Sequence, residues 1–411
     1  MAEIRPFRAY VYSENEQKNL GDLISPPYDV IKPEQRQQML KKNAHNSVAL
    51  SLTDDLNDSD RYKKMAQRYS KWKADEVLVS ISKPSFYLIE ETYQIEERLD
   101  RRLGFIALLQ VSPFEEGKVL PHEHTLSGPK KDRFELLQTM GAELSQILMC
   151  YEDPRLVLEK IYESKNSQKP FMECTDPQGI KRRLWLIENH QEIESLKDCL
   201  KDKTLLIADG HHRYETAVKY RTDAPSNLNE FVQVYFTNTQ NPSFSILPIH
   251  RLFSLPEGLD EEEFKKKIKE IFQIRVLTKG TNLSEANRKK EENEIKMICS
   301  FQSTGEHWLL TRNKKTDTDA EIFSLQTDIF EKILGWDLSQ ISKGAIQYEH
   351  TQADYLKTLQ QLQNGVGFFL PPTDLKLVMQ VAKEGRRMPQ KSTFFYPKLA
   401  SGLLTYELGH Y

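Results

Sequence analysis

Cysteine is scarce in this 411-residue chain: there are four, Cys150, Cys174, Cys199 and Cys299, and no two form a CxxC pair. That spacing excludes a zinc knuckle and a disulfide-stapled fold, and it fits a reducing compartment. No apolar run approaches the roughly 20 residues of a membrane-spanning helix. The opening MAEIRPFRAY lacks the apolar stretch of a secretion signal. The expectation is a cytoplasmic protein without a membrane partner. An excess of one charge is also missing. A net charge of −3 excludes the basic footprint of a dedicated DNA binder, so no nucleic-acid partner is expected. Common nucleotide and nucleophile signatures are absent: no GxxxxGK[ST] loop, no GxSxG elbow, no kinase HRD or DFG. Gly365-Val366-Gly367 lacks the third glycine of a dinucleotide fingerprint. Any nucleotide chemistry lies outside the commonest folds.

What is present describes a globular α/β chain. Hydrophobic residues at 38% and charged residues at 28% suit a packed core with a solvated surface, and the length implies two or three units. Tyr62, Met65, Ala66, Tyr69 and Trp72 recur at helical spacing and predict an amphipathic helix. Phe86–Ile95 and Leu103–Val111 predict two strands of a hairpin, and Leu205–Ala208 and Phe231–Phe236 two further strands. Two prolines exclude regular helix from Ile24–Val30. Asp260–Glu263 followed by Lys265–Lys267 complements the dipole of a helix with Phe264, Ile268, Ile271 and Phe272 on one face. Lys279–Lys296 reads as a loop or an exposed helix. Leu356, Leu359 and Leu362 lead to Gly365 as a helix cap, Phe368–Leu370 reads as a strand, and Thr373 caps a helix ending near Gly385.

Two strips carry chemistry. Asp209-Gly210-His211-His212-Arg213-Tyr214 stands between the apolar run Leu205–Ala208 and the helical run Glu215–Tyr220. A strand–glycine–helix junction suits a phosphate, because the first helical amides lack partners and the dipole favours an anion. Arg213 adds a forked donor, and His211 or His212 donates to phosphate or handles a proton. The plainer reading has Asp209 as an N-cap, Gly210 as a turn residue and the histidines as surface. Four such residues in so short a run favour the functional reading. In the second strip, Leu120-Pro121-His122-Glu123-His124-Thr125 precedes Gly128-Pro129-Lys130-Lys131-Asp132-Arg133. Glu123 is the general-base candidate, and Lys130, Lys131 and Arg133 steer an anion. A basic cluster is also an ordinary surface feature.

Metal chemistry is the alternative. His122 and His124 lie two apart on an extended run, and with His211 and Asp209 they form a candidate ligand set for a phosphatase or hydrolase. Magnesium arriving with a nucleotide is the more ordinary option. A last strip, Gly385 to Lys398, offers Lys391, Ser392 and Thr393 to a phosphate, although Thr393–Tyr396 is equally a plain β-run with basic flanks.

In Ile4–Phe7, Pro26-Pro27-Tyr28-Asp29-Val30, Leu120–Thr125, Pro129–Arg133, Ala208–Tyr214, His250-Arg251 and Met388–Lys398 the chain resembles a prokaryotic family known as domain of unknown function ten-fifteen. Its Asp209–Arg213 strip is also similar to the motif of the ParB/sulfiredoxin-like fold, which includes free-serine kinases. The resemblance implies an α/β (α+β) fold: a ParB/sulfiredoxin-like core over 101–255, with further α/β regions over 1–100 and 256–411. It implies nucleotide binding, ATP or ADP with magnesium, by Asp209, Gly210, His211 and Arg213, assisted by His212, Lys130, Lys131 and Arg133. It gives Glu123 the role of base on the hydroxyl of a small metabolite, free L-serine above all. Tyr28, Asp29, His122 and His124 are substrate or structural candidates. A metal-dependent phosphatase and a non-catalytic nucleotide-binding regulatory protein are the competing readings.

Overall fold

The apolar runs near 86–95 and 103–111 form one antiparallel hairpin, Phe86–Ile95 with Arg98–Gln110, as their composition predicts. It stands in the middle of a nine-stranded sheet. The order is Val119–Leu120, Leu205–Asp209, Ile147–Tyr151, Phe231–Asn238, Arg98–Gln110, Phe86–Ile95, Lys181–Ile187 and Met172–Thr175, with Ile4–Arg5 added beside Arg98–Gln110. Two neighbouring pairs in it run parallel, Val119–Leu120 with Leu205–Asp209 and Ile147–Tyr151 with Phe231–Asn238. The computed structural model describes residues 2–95, 97–123, 127–241, 245–288, 291, 293–316, 318–337 and 344–411. The mixed α/β chain divides into two compact units. Met1–Pro121, Thr125–Ser245 and Pro397–Tyr411 make the first, and His122–His124 with Ile246–Tyr396 the second. Among the described residues no helix is long and apolar enough to cross a membrane.

In the first unit the sheet buries Phe86, Phe105, Ile147, Ile207 and Phe236 with helix residues Leu158, Ile161, Leu196 and Leu200 in one core. Helix His211–Asp223 joins that core through Tyr214 and Ala217. The predicted aromatic helix spans Arg61–Ala74 and buries Met65, Tyr69 and Trp72. Ile24–Val30 is irregular, as its prolines require, with a short 3-10 turn at Tyr28–Val30.

The second unit is built on a six-stranded antiparallel sheet. Its order is Gln273–Val276, His307–Asn313, Glu294–Phe301, Gly365–Phe369, His250–Ser254 and Gln347–Glu349. The acid-then-base helix spans Glu261–Lys269. Lys279–Lys296 holds a helix at Leu283–Arg288, one of the two readings of that stretch, and strand Glu294–Phe301 begins within it. Two sequence expectations are corrected in this unit. Gly365 caps nothing: Asn364 takes the left-handed position at φ 49°, and Gly365 opens the strand. There an added Cβ would meet Leu362 Cβ at 2.7 Å. Asp374, not Thr373, caps helix Leu375–Lys383 by accepting from the Lys376 amide, while the Thr373 hydroxyl donates to the Ser392 carbonyl at 2.6 Å.

Candidate functional site

Strand Leu205–Asp209 is regular against Ile147–Tyr151 until Ile207, where the register slips by one residue before Asp209. The extra residue, Ala208, reverses the alternation of faces, and a bulge of this kind re-aims the side chain that follows it. Asp209 is that side chain. Gly210 then turns the chain at φ +94°, a left-handed value at which any side chain is strained. Helix His211–Asp223 starts at once.

Three segments meet on this junction. Arg213 Nη2 donates to Asp209 Oδ2 at 2.8 Å, and Lys398 Nζ donates to Oδ1 of the same carboxylate. The other arm of Arg213 donates to Ser145 Oγ at 3.2 Å and to the Gln146 carbonyl. Burial alone would raise the Asp209 pKa, but the Lys398 and Arg213 charges outweigh it and hold the carboxyl well below the usual range. His211 is buried and His212 half-buried. Burial pushes the His212 imidazole down, Glu215 opposes this, and Lys130 adds to it.

Beside the junction lies a cavity of about 70 Å³. Tyr28, Ser51, Arg133, Glu143, Ser145 and Arg213 supply its polar wall. The Arg133 guanidinium lies 4.1 Å over the Tyr28 ring and donates to the Ser51 carbonyl at 3.0 Å. Its Nε donates to Asp132 at 2.9 Å, and Tyr62 donates to the other Asp132 oxygen at 2.8 Å. Opposite, Glu143 Oε2 accepts the Gln233 amide at 2.6 Å. Burial pushes the Glu143 carboxyl up to about 8, against the Gln233 amide and the Arg213 charge. The cavity thus combines two guanidiniums with a carboxyl that holds its proton near neutral pH.

The first unit therefore brings together Asp209, Gly210, Arg213, Arg133 and Tyr28 from the sequence-derived set. Lys130 pairs with Glu215 on the same helix as Arg213, while Asp29 and Lys131 are exposed. His211 and His212 stand on that helix too, and the other candidates belong to the second unit. His122 Nε2 bonds Thr393 Oγ1 at 2.8 Å, and its carbonyl accepts the Met388 amide at 2.7 Å. Ser392 turns its hydroxyl onto the Pro389 carbonyl, and Lys391 takes a left-handed φ of 57°. Glu123 Oε1 is 3.8 Å from His122 Nε2, and it is buried without a hydrogen bond among the described residues. His124 lies outside the described residues. Among the described residues no three His, Cys, Asp or Glu side chains form a metal-binding group.

Two residues of the site escaped the sequence reading. Lys398 closes the Gly385–Lys398 strip but carried no distinguishing pattern. Glu143 is positioned because Ala142–Glu143 pairs with Tyr406–Glu407, near the other end of the chain.

Solved structures with partial likeness include a free serine kinase variant in complex with ADP. It is 14% identical over 71% of this chain and 88% of that one, with a TM-score of 0.38. The same figures, 14%, 71%, 88% and 0.38, describe a free serine kinase in complex with AMP. A conserved hypothetical protein from Pyrococcus furiosus is 13% identical over 69% of this chain and 90% of that one, with a TM-score of 0.35. No curated protein matches the chain. The family model described as protein of unknown function (DUF1015) matches residues 4–332, and the chain belongs to that family.

Proposed function

We propose that the Asp209–Arg213 junction binds the phosphate of a nucleotide, ATP or ADP with magnesium, and that the chain transfers a phosphoryl group to a small hydroxylated metabolite. Free L-serine is the sharpest candidate. The observation that carries this reading is the convergence of Lys398 and Arg213 on Asp209 where a glycine turn opens a helix. The first amides of that helix have no carbonyl partner within it, and its dipole favours an anion. Both cations are already held by a carboxylate, so an entering phosphate would share them with Asp209. An ionised carboxylate beside the phosphates also suits a magnesium ion.

In the transfer, the metabolite's hydroxyl oxygen forms a bond to phosphorus and the bond from phosphorus to the nucleotide's bridging oxygen breaks. The hydroxyl proton passes to a carboxylate. The family resemblance assigns that role to Glu123, whose contribution as a general base would be about 10²–10⁴ in rate. Lys398 and Arg213 stabilise charge on the phosphate oxygens.

Calorimetric titration with ADP, ATP and CTP plus magnesium, with and without L-serine, tests the reading. Nucleotide binding that disappears in Arg213→Ala supports it. Absence of binding to all three overturns it. Glu123→Gln should lower turnover and leave nucleotide affinity within about twofold. Turnover lost in Glu143→Gln but kept in Glu123→Gln would move the base into the first unit.

A further inference from the structure

The second unit contains a cavity of about 450 Å³ that has no part in the reading above. Its size lies in the range of sites for small organic molecules, roughly 300–1,000 Å³. One wall is apolar, with Ile249, Ile322, Leu370 and Leu377. The rest of the lining is polar and includes three cations, Arg251, Lys314 and Lys376, together with carboxylates.

Arg251 is only 3% exposed. Its guanidinium donates to the Ile249 carbonyl at 2.7 Å and to the Lys391 carbonyl at 2.7 Å, so its hydrogen bonding is met by neutral groups. No ion pair among the described residues joins it to a carboxylate. A buried charge whose hydrogen bonds all go to neutral groups, with Glu123 acting on it only from beyond ion-pair distance, is one that a closer anion would stabilise. Burial lowers its pKa to about 10, with Tyr348 and Glu123 opposing, and it stays cationic at neutral pH. Lys314 is half-buried and Lys376 exposed, and neither ammonium has a carboxylate partner among the described residues.

The carboxylates on the wall are otherwise engaged. Asp319 is bound by Arg312 at 2.7 and 3.3 Å. Glu321 accepts the Lys296 amide at 3.0 Å, and Asp374 accepts the Lys376 amide at 2.9 Å. Glu291 stands on the exposed rim. Amide donors leave Glu321 and Asp374 charged, so the group on this wall that is both buried and without an ion-pair partner among the described residues is Arg251.

We infer that this cavity is a second ligand site, built for a small organic anion whose apolar body lies on Ile322 and Leu377 and whose charge meets Arg251, Lys314 and Lys376. The anionic group is a carboxylate or a phosphate monoester. The inference stands independently of nucleotide binding at the Asp209 junction.

Methyl-labelled full-length protein tests it, because isoleucine and leucine methyls line both cavities. Phenylphosphate, phenylacetate and neutral benzyl alcohol are titrated separately, with the methyls of Ile249, Ile322, Leu370 and Leu377 as reporters. Leu136, Leu137 and Ile147 report on the first unit's cavity. The expected result is that at least one of the two anions shifts the second-unit methyls saturably, while benzyl alcohol binds at least about tenfold more weakly. Which anion binds better identifies the group. Lys314→Met with Lys376→Met, two solvent-reaching positions, should weaken the anion by about tenfold while the remaining methyl spectrum is unchanged. Equal binding of benzyl alcohol, unchanged affinity in the double variant, or shifts confined to the first unit's methyls would each overturn the inference.

Discussion

The ammonium of Lys398 rests on Oδ1 of Asp209, 189 residues earlier in the chain. Arg213 occupies Oδ2, so both oxygens of one carboxylate are held by cations from different segments. The consequence is a junction fixed in position and charge before any ligand arrives. Such preorganisation is what a phosphate site requires, since donors that must first be gathered lose binding energy in the gathering.

Lys398→Met removes one of these cations and should destabilise the protein by about 1.5–3 kcal/mol, the range for a hydrogen bond to a charged group. The effect depends on pH in a fixed direction. A carboxylate whose folded pKa is depressed contributes stability above its unfolded pKa, about 3.9, and loses it as pH falls through the folded value. Asp209 is of this kind. The Tm difference between wild type and Lys398→Met should therefore be full at pH 7 and shrink on acidification below about pH 4. A difference that grows in acid would show that Asp209 is not the partner that matters.

Glu143 behaves oppositely. Its folded pKa is raised to about 8, so between its unfolded pKa and that value the native state holds the extra proton. Stability then falls as pH rises across this window. Glu143→Gln keeps an oxygen for the Gln233 amide and cannot ionise. It should match wild type near pH 4 and exceed it at pH 8 by about 1–3 kcal/mol, after allowance for solvent around a half-buried carboxyl. Urea midpoints at the two pH values check this, and parallel curves for the two proteins would exclude a raised Glu143.

Much of the fold was legible because local signals agreed with the tertiary demand. The apolar run at 205–208 followed by glycine is a strand and a helix start, and the hairpin at 86–110 forms where its runs placed it. The candidate site was legible as a cluster only in its contiguous part, Asp209 to Arg213. Lys398 and Glu143 were not, because each is positioned by pairing between segments far apart in sequence. Glu143 reaches the cavity only through the short ladder with Tyr406–Glu407. Caps failed at the same level. Thr373 and Asp374 both suit an N-cap, and the Ser392 carbonyl, which takes the threonine hydroxyl, decides between them.

Gly210→Ala tests the junction through its backbone. At φ +94° an alanine is strained, and its Cβ would lie 3.0 Å from three atoms of the Arg213 guanidinium. The left-handed conformation alone costs about 1–2 kcal/mol. Because Arg213 must also give way, phosphate affinity should fall together with stability. A stable variant with unchanged ATP affinity in the titration would remove the junction from the phosphate site.

The first unit also holds a charge cluster with no evident part in the chemistry. Glu91, Arg102 and Arg182 are 1%, 1% and 2% exposed, and Glu91 is the carboxylate common to both arginines. Arg182 retains a second partner in Asp176 at 2.6 Å, whereas Arg102 has only Glu91 as its ion-pair partner among the described residues. Glu91→Gln should therefore cost about 3–5 kcal/mol, the usual result of leaving a buried charge uncompensated. Replacing both members, Glu91→Leu with Arg102→Met, removes the uncompensated charge of Arg102 and should recover much of that loss, Arg182 being left with Asp176. Urea unfolding of the single and double variants separates the two contributions. If the double variant is no more stable than Glu91→Gln, the cluster stabilises the sheet through specific hydrogen bonds that apolar packing does not replace.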